Sequence, residues 1–180
     1  DLYPILGAPS YDGLIRINLD LGNNTTTVQR VGSGWNLPGW SPTDSVENIT
    51  FDSSGQMYGL WEKKSTLLRI DKGTGVATPI GSGLSGTDLT QTSAMDFWGD
   101  TLYLFHNGDE GNPRLFTVDT ATGEALAPVA DPDYGVYHGD FDPTTGKYYG
   151  IHDTSIYWRS LWITDLSGIA TPGARPLTDP

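Results

Sequence analysis

Cysteine is absent from the 180 residues, so neither a disulfide framework nor thiolate chemistry exists in this chain. Basic residues are scarce: ten Lys and Arg stand against 22 Asp and Glu, a formal charge of −12. That imbalance excludes nucleic acid as a partner and disfavours an anionic membrane surface. No apolar run approaches the roughly 18 residues that span a bilayer as a helix, and no helical period of apolar residues is sustained. Motifs with fixed chemistry are missing too: there is no Gly-x-Ser-x-Gly elbow and no phosphate-cradling Gly-x-x-x-x-Gly-Lys. Paired carboxylates occur at Asp109–Glu110, Asp131–Asp133 and Asp140–Asp142. Adjacency along a chain, however, is not the opposed geometry of acid–base catalysis.

What the chain does have is turn formers and core formers. Gly and Pro number 23 and 12, and 37% of the residues are hydrophobic, enough to bury a core. The turn formers separate short runs rich in β-branched and aromatic residues, and these runs repeat. One unit reads Asn48-Ile-Thr-Phe-Asp52, Gln56-Met-Tyr-Gly-Leu-Trp61, Thr66-Leu-Leu-Arg-Ile-Asp71, Gly73-Thr-Gly75 and Val76-Ala-Thr-Pro-Ile-Gly81. The next reads Ala94-Met-Asp-Phe97, Thr101-Leu-Tyr-Leu-Phe-His106, Arg114-Leu-Phe-Thr-Val-Asp119 and Glu124-Ala-Leu-Ala-Pro-Val129. The last reads His138-Gly-Asp-Phe-Asp142, Lys147-Tyr-Tyr-Gly-Ile-His152, Ser160-Leu-Trp-Ile-Thr-Asp165 and Ile169-Ala-Thr171. A first unit starts late, with Leu2–Leu6, Gly13–Asn18 and Thr25–Val31. Tyr3, Tyr58, Tyr103 and Tyr149 share one phase, at steps of 55, 45 and 46 residues. Four short strands per period of 40 to 50 residues predict β-propeller blades over 1–35, 46–83, 94–130 and 137–176, within one domain, 1–180. The fold class is therefore all-β: a small propeller of about four four-stranded blades, the first incomplete and starting at its second strand.

The pattern Phe-Asp…Tyr-Gly-Ile…Ile-Asp…Thr-Gly resembles the degenerate blades of NHL-like and YVTN-like extracellular β-propellers. The resemblance runs from Leu2 to about Pro176 and implies an architecture rather than an activity. It also implies two loop faces. One gathers the long connections that hold Trp35, Trp40, Tyr134, Tyr137, Tyr157 and Trp158; the other has short turns such as Ser53-Ser54-Gly55. Loop aromatics beside Asn and Asp stack on sugar faces, or fold down as lids over the blade tops; both readings stand. The Asp of Ile-Asp-x-x-Thr-Gly, at Asp71 and Asp119, is expected to bond turn amides, and Tyr58, Tyr103 and Tyr149 to fill the core.

All three histidines fall on the loop-rich side. His106 and His152 sit at equivalent strand ends, a slot that Trp61 fills in an earlier unit, and so read as residues packed between blades. His138 opens an inner strand with Asp140 two residues on; Asp96 matches Asp140, and Asn48 is aligned with His138. Imidazole and carboxylates hold first-row metals, and carboxylates with an Asn carbonyl suit calcium. Asn48, Asp96, His138 and Asp140 are thus a candidate metal site, similar to the channel-mouth metal of gluconolactonase-like propellers.

The expected function is a secreted, non-enzymatic binding module that recognises a carbohydrate or an extracellular partner protein through its loop-rich face. One alternative is a metal-dependent hydrolase or lactonase at the channel mouth. Another is a structural subunit that self-assembles by strand complementation at its open first blade. Secretion rests on the composition and on a start, Asp1-Leu2-Tyr3-Pro4, that lies directly inside a strand-like run and reads as trimmed. Asn-x-Thr acceptor triplets stand at Asn23, Asn24 and Asn48.

Overall fold

The computed structural model describes residues 13–41, 43–84, 92–107, 114–130, 136, 138–155, 158–164 and 170–171. Among these there is no α-helix, only one 3-10 turn at Glu62–Lys64. A hairpin comes first, β1 (Ile15–Asp20) with β2 (Thr25–Arg30), followed by three four-stranded meanders. These are β3 (Val46–Phe51), β4 (Met57–Trp61), β5 (Thr66–Ile70) and β6 (Ala77–Pro79); then β7 (Thr92–Trp98), β8 (Thr101–His106), β9 (Arg114–Val118) and β10 (Ala125–Ala130); then β11 (His138–Phe141), β12 (Tyr148–Ser155), β13 (Trp158–Thr164) and β14 (Ala170–Thr171). Strands pair antiparallel in chain order within each sheet. The expected strand at Leu2–Leu6 lies outside the described residues.

Apolar side chains line the strands, and neighbouring sheets bury the faces they turn toward one another. Leu14 and Val31 of the hairpin pack on Met57, Leu68 and Ile70. Tyr58, Leu60 and Leu67 pack on Met95, Leu102, Leu104 and Phe116. Phe105 and Leu115 pack on Phe141 and Tyr148, whose ring centroid is 4.1 Å from that of Phe105. The core is therefore a row of three sandwiched layers rather than one central mass.

Close backbone contacts fix the distance between sheets. A Cβ on Gly32 would run into the Thr74 carbonyl, and one on Gly75 into the Val31 carbonyl; Gly81 and Gly123 meet their counterparts in the same way. Gly75 also has a φ of +72°, a conformation glycine adopts without steric cost. The turn before it is built as its composition predicts. Asp71 Oδ1 accepts hydrogen bonds from the amides of Gly73 (2.8 Å) and Thr74 (2.7 Å). Asp119 and Asp142 do the same in their own turns. The Thr74 amide for Asp71, and the Thr145 hydroxyl for Asp142, hold these carboxyls below their ordinary range.

Two sequence expectations need correction. Tyr58 is buried and Tyr103 packs against the third core layer, but Tyr149 is exposed. Tyr149 faces away from the preceding sheet, and among the described residues no further sheet lies beyond it; the buried ring of that strand is Tyr148. The second correction concerns Asn48. Register breaks between Glu47 and Ile49, leaving Asn48 as the bulged residue at φ +50°, which Asn tolerates. Glu47 pairs with Leu60 as His138 pairs with Ile151, so Glu47 and not Asn48 holds the register position of His138.

Candidate functional site

The three inner strands β3, β7 and β11 lie side by side. Thr50, Asp96 and Asp140 occupy one register position on them, each opposite a tyrosine of the second strand: Tyr58, Tyr103 and Tyr149. This position links the sheets. Asp96 Oδ1 accepts from the Thr50 hydroxyl at 2.7 Å, and Asp96 Oδ2 from the Phe141 amide at 2.9 Å. One carboxylate thus clasps three consecutive sheets. Thr50 is buried and Asp96 half-buried, so these bonds form in a partly dry setting.

A cavity of about 410 Å³ opens along the same strands, lined by Asn48, Ile49, Thr50, Phe51, Met95, Asp96, His138, Gly139 and Asp140. The structure therefore brings all four candidate metal residues to one pocket. Asp140 stands beside Asp96, and its carboxyl is raised to about 6. The side-chain hydrogen bond to Asp96 contributes most, followed by burial and the nearby charge. Beneath this pair, Tyr148 is fully buried, and its hydroxyl has no hydrogen-bond partner among the described residues. Its ring reaches the pocket wall: a Cβ on Gly139 would sit 2.6 Å from Tyr148 Cε1. Burial, then the carboxyls of Asp96 and Asp140, push this phenol well above its ordinary range, so it remains a neutral donor facing a carboxyl pair.

The donor types here suit a hard cation, but their arrangement does not yet form a cage. Among the described residues no three acidic or imidazole side chains converge on a common point at ligand distance. Both oxygens of Asp96 are already engaged by the sheets.

The loop aromatics fall into three groups. Trp35 and Trp40 are half-buried and pack against the first core layer, Trp40 with its ring 5.8 Å from that of Trp61. Their loop is pinned down. Leu37 is buried, and Asp44 accepts from the Ser41 amide and pairs with Lys63 Nζ at 3.0 Å. Tyr134, Tyr137 and Tyr157 lie outside the described residues. Trp158 opens β13, its backbone paired with Ser155. His106 stacks edge-on against Phe116 at 6.4 Å, and only the backbone of His152, paired with Ser160, is described.

Thr50 and the Phe141 amide carry the site's hydrogen bonds, with the Tyr148 ring packed beneath, and the sequence had singled out none of the three. The only available signal was the doubled Tyr148-Tyr149, where the other units read Met57-Tyr58 and Leu102-Tyr103.

No protein-family model matches this chain, and no curated protein matches it either. Solved structures do. A chain of a nidogen/laminin complex superposes with a TM-score of 0.61 at 16% identity, covering 88% of this chain and 56% of that one. A putative 6-phosphogluconolactonase from Bacteroides uniformis gives 0.50 at 14% identity, covering 90% and 47%. A putative TolB from Agrobacterium tumefaciens gives 0.49 at 10% identity, covering 96% and 72%. The chain thus spans about half the length of the first two. At such identities the likeness shows the fold alone: the protein is all-β and propeller-like.

Proposed function

We propose that this protein is a secreted, non-enzymatic recognition module whose inner-strand pocket, with the loop face above it, binds an extracellular partner protein or a carbohydrate. The observation that carries this reading is the convergence of Asn48, Asp96, His138 and Asp140 on one open cavity of about 410 Å³. An amide, an imidazole and two neighbouring carboxyls around one cavity suit hydroxyl, amide or ammonium groups of a ligand. A protein partner is favoured over a glycan. Trp35 and Trp40 are committed to packing, and the neighbour with the highest of the reported TM-scores comes from a complex between proteins. Exposure of Asn23 and Asn24 in the hairpin turn fits an extracellular setting. We read the sheets as three blades preceded by a partial one, with repeats of the NHL-like or YVTN-like kind.

The test is a binding panel of extracellular matrix proteins, laminin included, alongside a glycan array. A ligand found there should lose at least about tenfold in affinity with His138→Ala or Asp140→Asn, both exposed positions that leave the fold intact. Unchanged affinity in both folded variants would sink the pocket as the site.

A second reading, a metal-dependent hydrolase or lactonase, is favoured by the Asp96–Asp140 pair alone, because two neighbouring carboxyls are the ligand type that calcium takes. Calcium titration with and without EDTA decides it: a melting temperature that neither addition changes removes the metal. Self-assembly by addition of a strand is a third reading.

A further inference from the structure

The chain holds three Asn-x-Thr triplets, and the fold treats each differently. Asn48 is the bulged residue of β3 and lines the inner-strand cavity; the hydroxyl of its Thr50 is buried and donates to Asp96. Asn23 is tied into the β1–β2 turn. Its backbone amide donates to Asp20 Oδ1 at 3.1 Å, and its side-chain nitrogen to Asp20 Oδ2 at 2.8 Å. Asn24 follows at φ +52°, exposed, with no hydrogen bond to its side chain among the described residues. The hydroxyl of its Thr26 is exposed and unengaged in the same way. This exposure belongs to the kind of turn rather than to its place in the array. In the corresponding β5–β6 and β9–β10 turns, Asp71–Thr74, Ala121 and Thr122 are exposed as well.

We infer that Asn24, at the tip of the β1–β2 hairpin, is an N-glycosylation site, and that Asn23 and Asn48 are not; the inference rests on the extracellular reading above. The donor is an oligosaccharide carried on a lipid pyrophosphate. Asn24 Nδ2 attacks the anomeric carbon of the first sugar, and the new C–N bond forms as the C–O bond to the pyrophosphate breaks. The lipid pyrophosphate leaves, the proton from Nδ2 passes to a base of the transferase, and nothing is oxidised or reduced. Whether the chain meets the transferase before or after it folds, a glycan at Asn24 leaves the fold as it stands. One at Asn48 would fill the inner-strand cavity. One at Asn23 would crowd the Asp20 carboxyl that closes the turn. The turn precedes β2, and the loop of Trp35 and Trp40 follows it. The length of that strand, roughly 20 Å, thus separates the sugar from the loop face and keeps that face open to a partner.

The chain translated behind a signal peptide into microsomes should give one glycosylated species. Peptide-N-glycosidase F should remove its gel shift and leave aspartate at position 24 in the peptide map. Thr26→Ala removes only the Asn24 triplet and should abolish the shift. Thr25→Ala removes only the Asn23 triplet and Asn48→Gln only the third, and both should keep it. A wild type that never shifts, or a shift that survives Thr26→Ala, overturns the proposal. The intact mass of the natural protein separates this result from the extracellular reading. Unmodified protein recovered outside the cell overturns the glycan and leaves that reading standing. Protein confined to the cytosol overturns that reading, and the glycan with it.

Discussion

Ile70 and Ile17 hold the same position in the repeat and have the same side chain, yet one lies in a core layer and the other faces solvent. The two positions thus differ in neighbours rather than in side chain. An apolar residue in a repeat protein marks where a neighbouring unit can pack, and burial follows only where that unit exists.

The comparison can be broken directly. Ile70→Ala should cost about 2–5 kcal/mol in chemical denaturation, since it opens a cavity between packed sheets. Ile17→Ala, measured in dilute protein, should change stability by less than about 0.5 kcal/mol. Equal losses would mean that the hairpin face is covered in solution. The clasp within the middle comes next. Asp96→Ala strips the acceptor from the buried Thr50 hydroxyl and from the Phe141 amide, and should cost about 1–3 kcal/mol. Thr50→Ala should add little to it, because the two share one bond; full additivity would show that the bond contributes nothing.

An effect of pH follows from the inner-strand carboxyl. Asp140 has its folded value raised to about 6, above its unfolded one, so its ionised form is disfavoured by folding. Stability from this group is present at low pH and is lost as pH rises toward 6, so a shift from pH 7 to 5 should stabilise. The gain is at most about 1 kcal/mol, because solvent reaches this carboxyl. The turn aspartates oppose it below about pH 4, where their favoured ionised forms are lost. Asp140→Asn should flatten thermal stability between pH 5 and 7; an unchanged slope would assign the titration elsewhere.

Much of the architecture was legible because local rules govern it. Runs of alternating residues became strands, and Asp-x-x-Thr-Gly became a turn whose carboxylate caps its own amides. The gathering of Asn48, Asp96, His138 and Asp140 followed from placing them at the inner strands. What stayed hidden depends on a non-local or unrepeated feature. The bulge at Asn48 shifts register by one residue, and counting along the chain cannot see an insertion that the partner strand does not share. The Thr50–Asp96–Phe141 clasp joins residues about 45 positions apart, across sheets whose spacing only the fold defines. Trp35 and Trp40 look like free loop rings until Asp44, held by Lys63 and Ser41, draws their loop onto the core.

The glycine contacts between sheets have a further consequence. At Gly32 with Thr74, and again at Gly81 with Thr122, main chain meets main chain, so the pitch of the array is gauged by atoms that every residue shares. Side chains in the layers fill a gap whose width they do not determine. Leu, Met, Phe and Tyr have accordingly traded places from one unit to the next, as at Met57, Leu102 and Tyr148, while the glycines recur. Tolerance to mutation should be distributed the same way: a library randomised among apolar residues in the layers should keep folding, and one randomised at these few glycines should not.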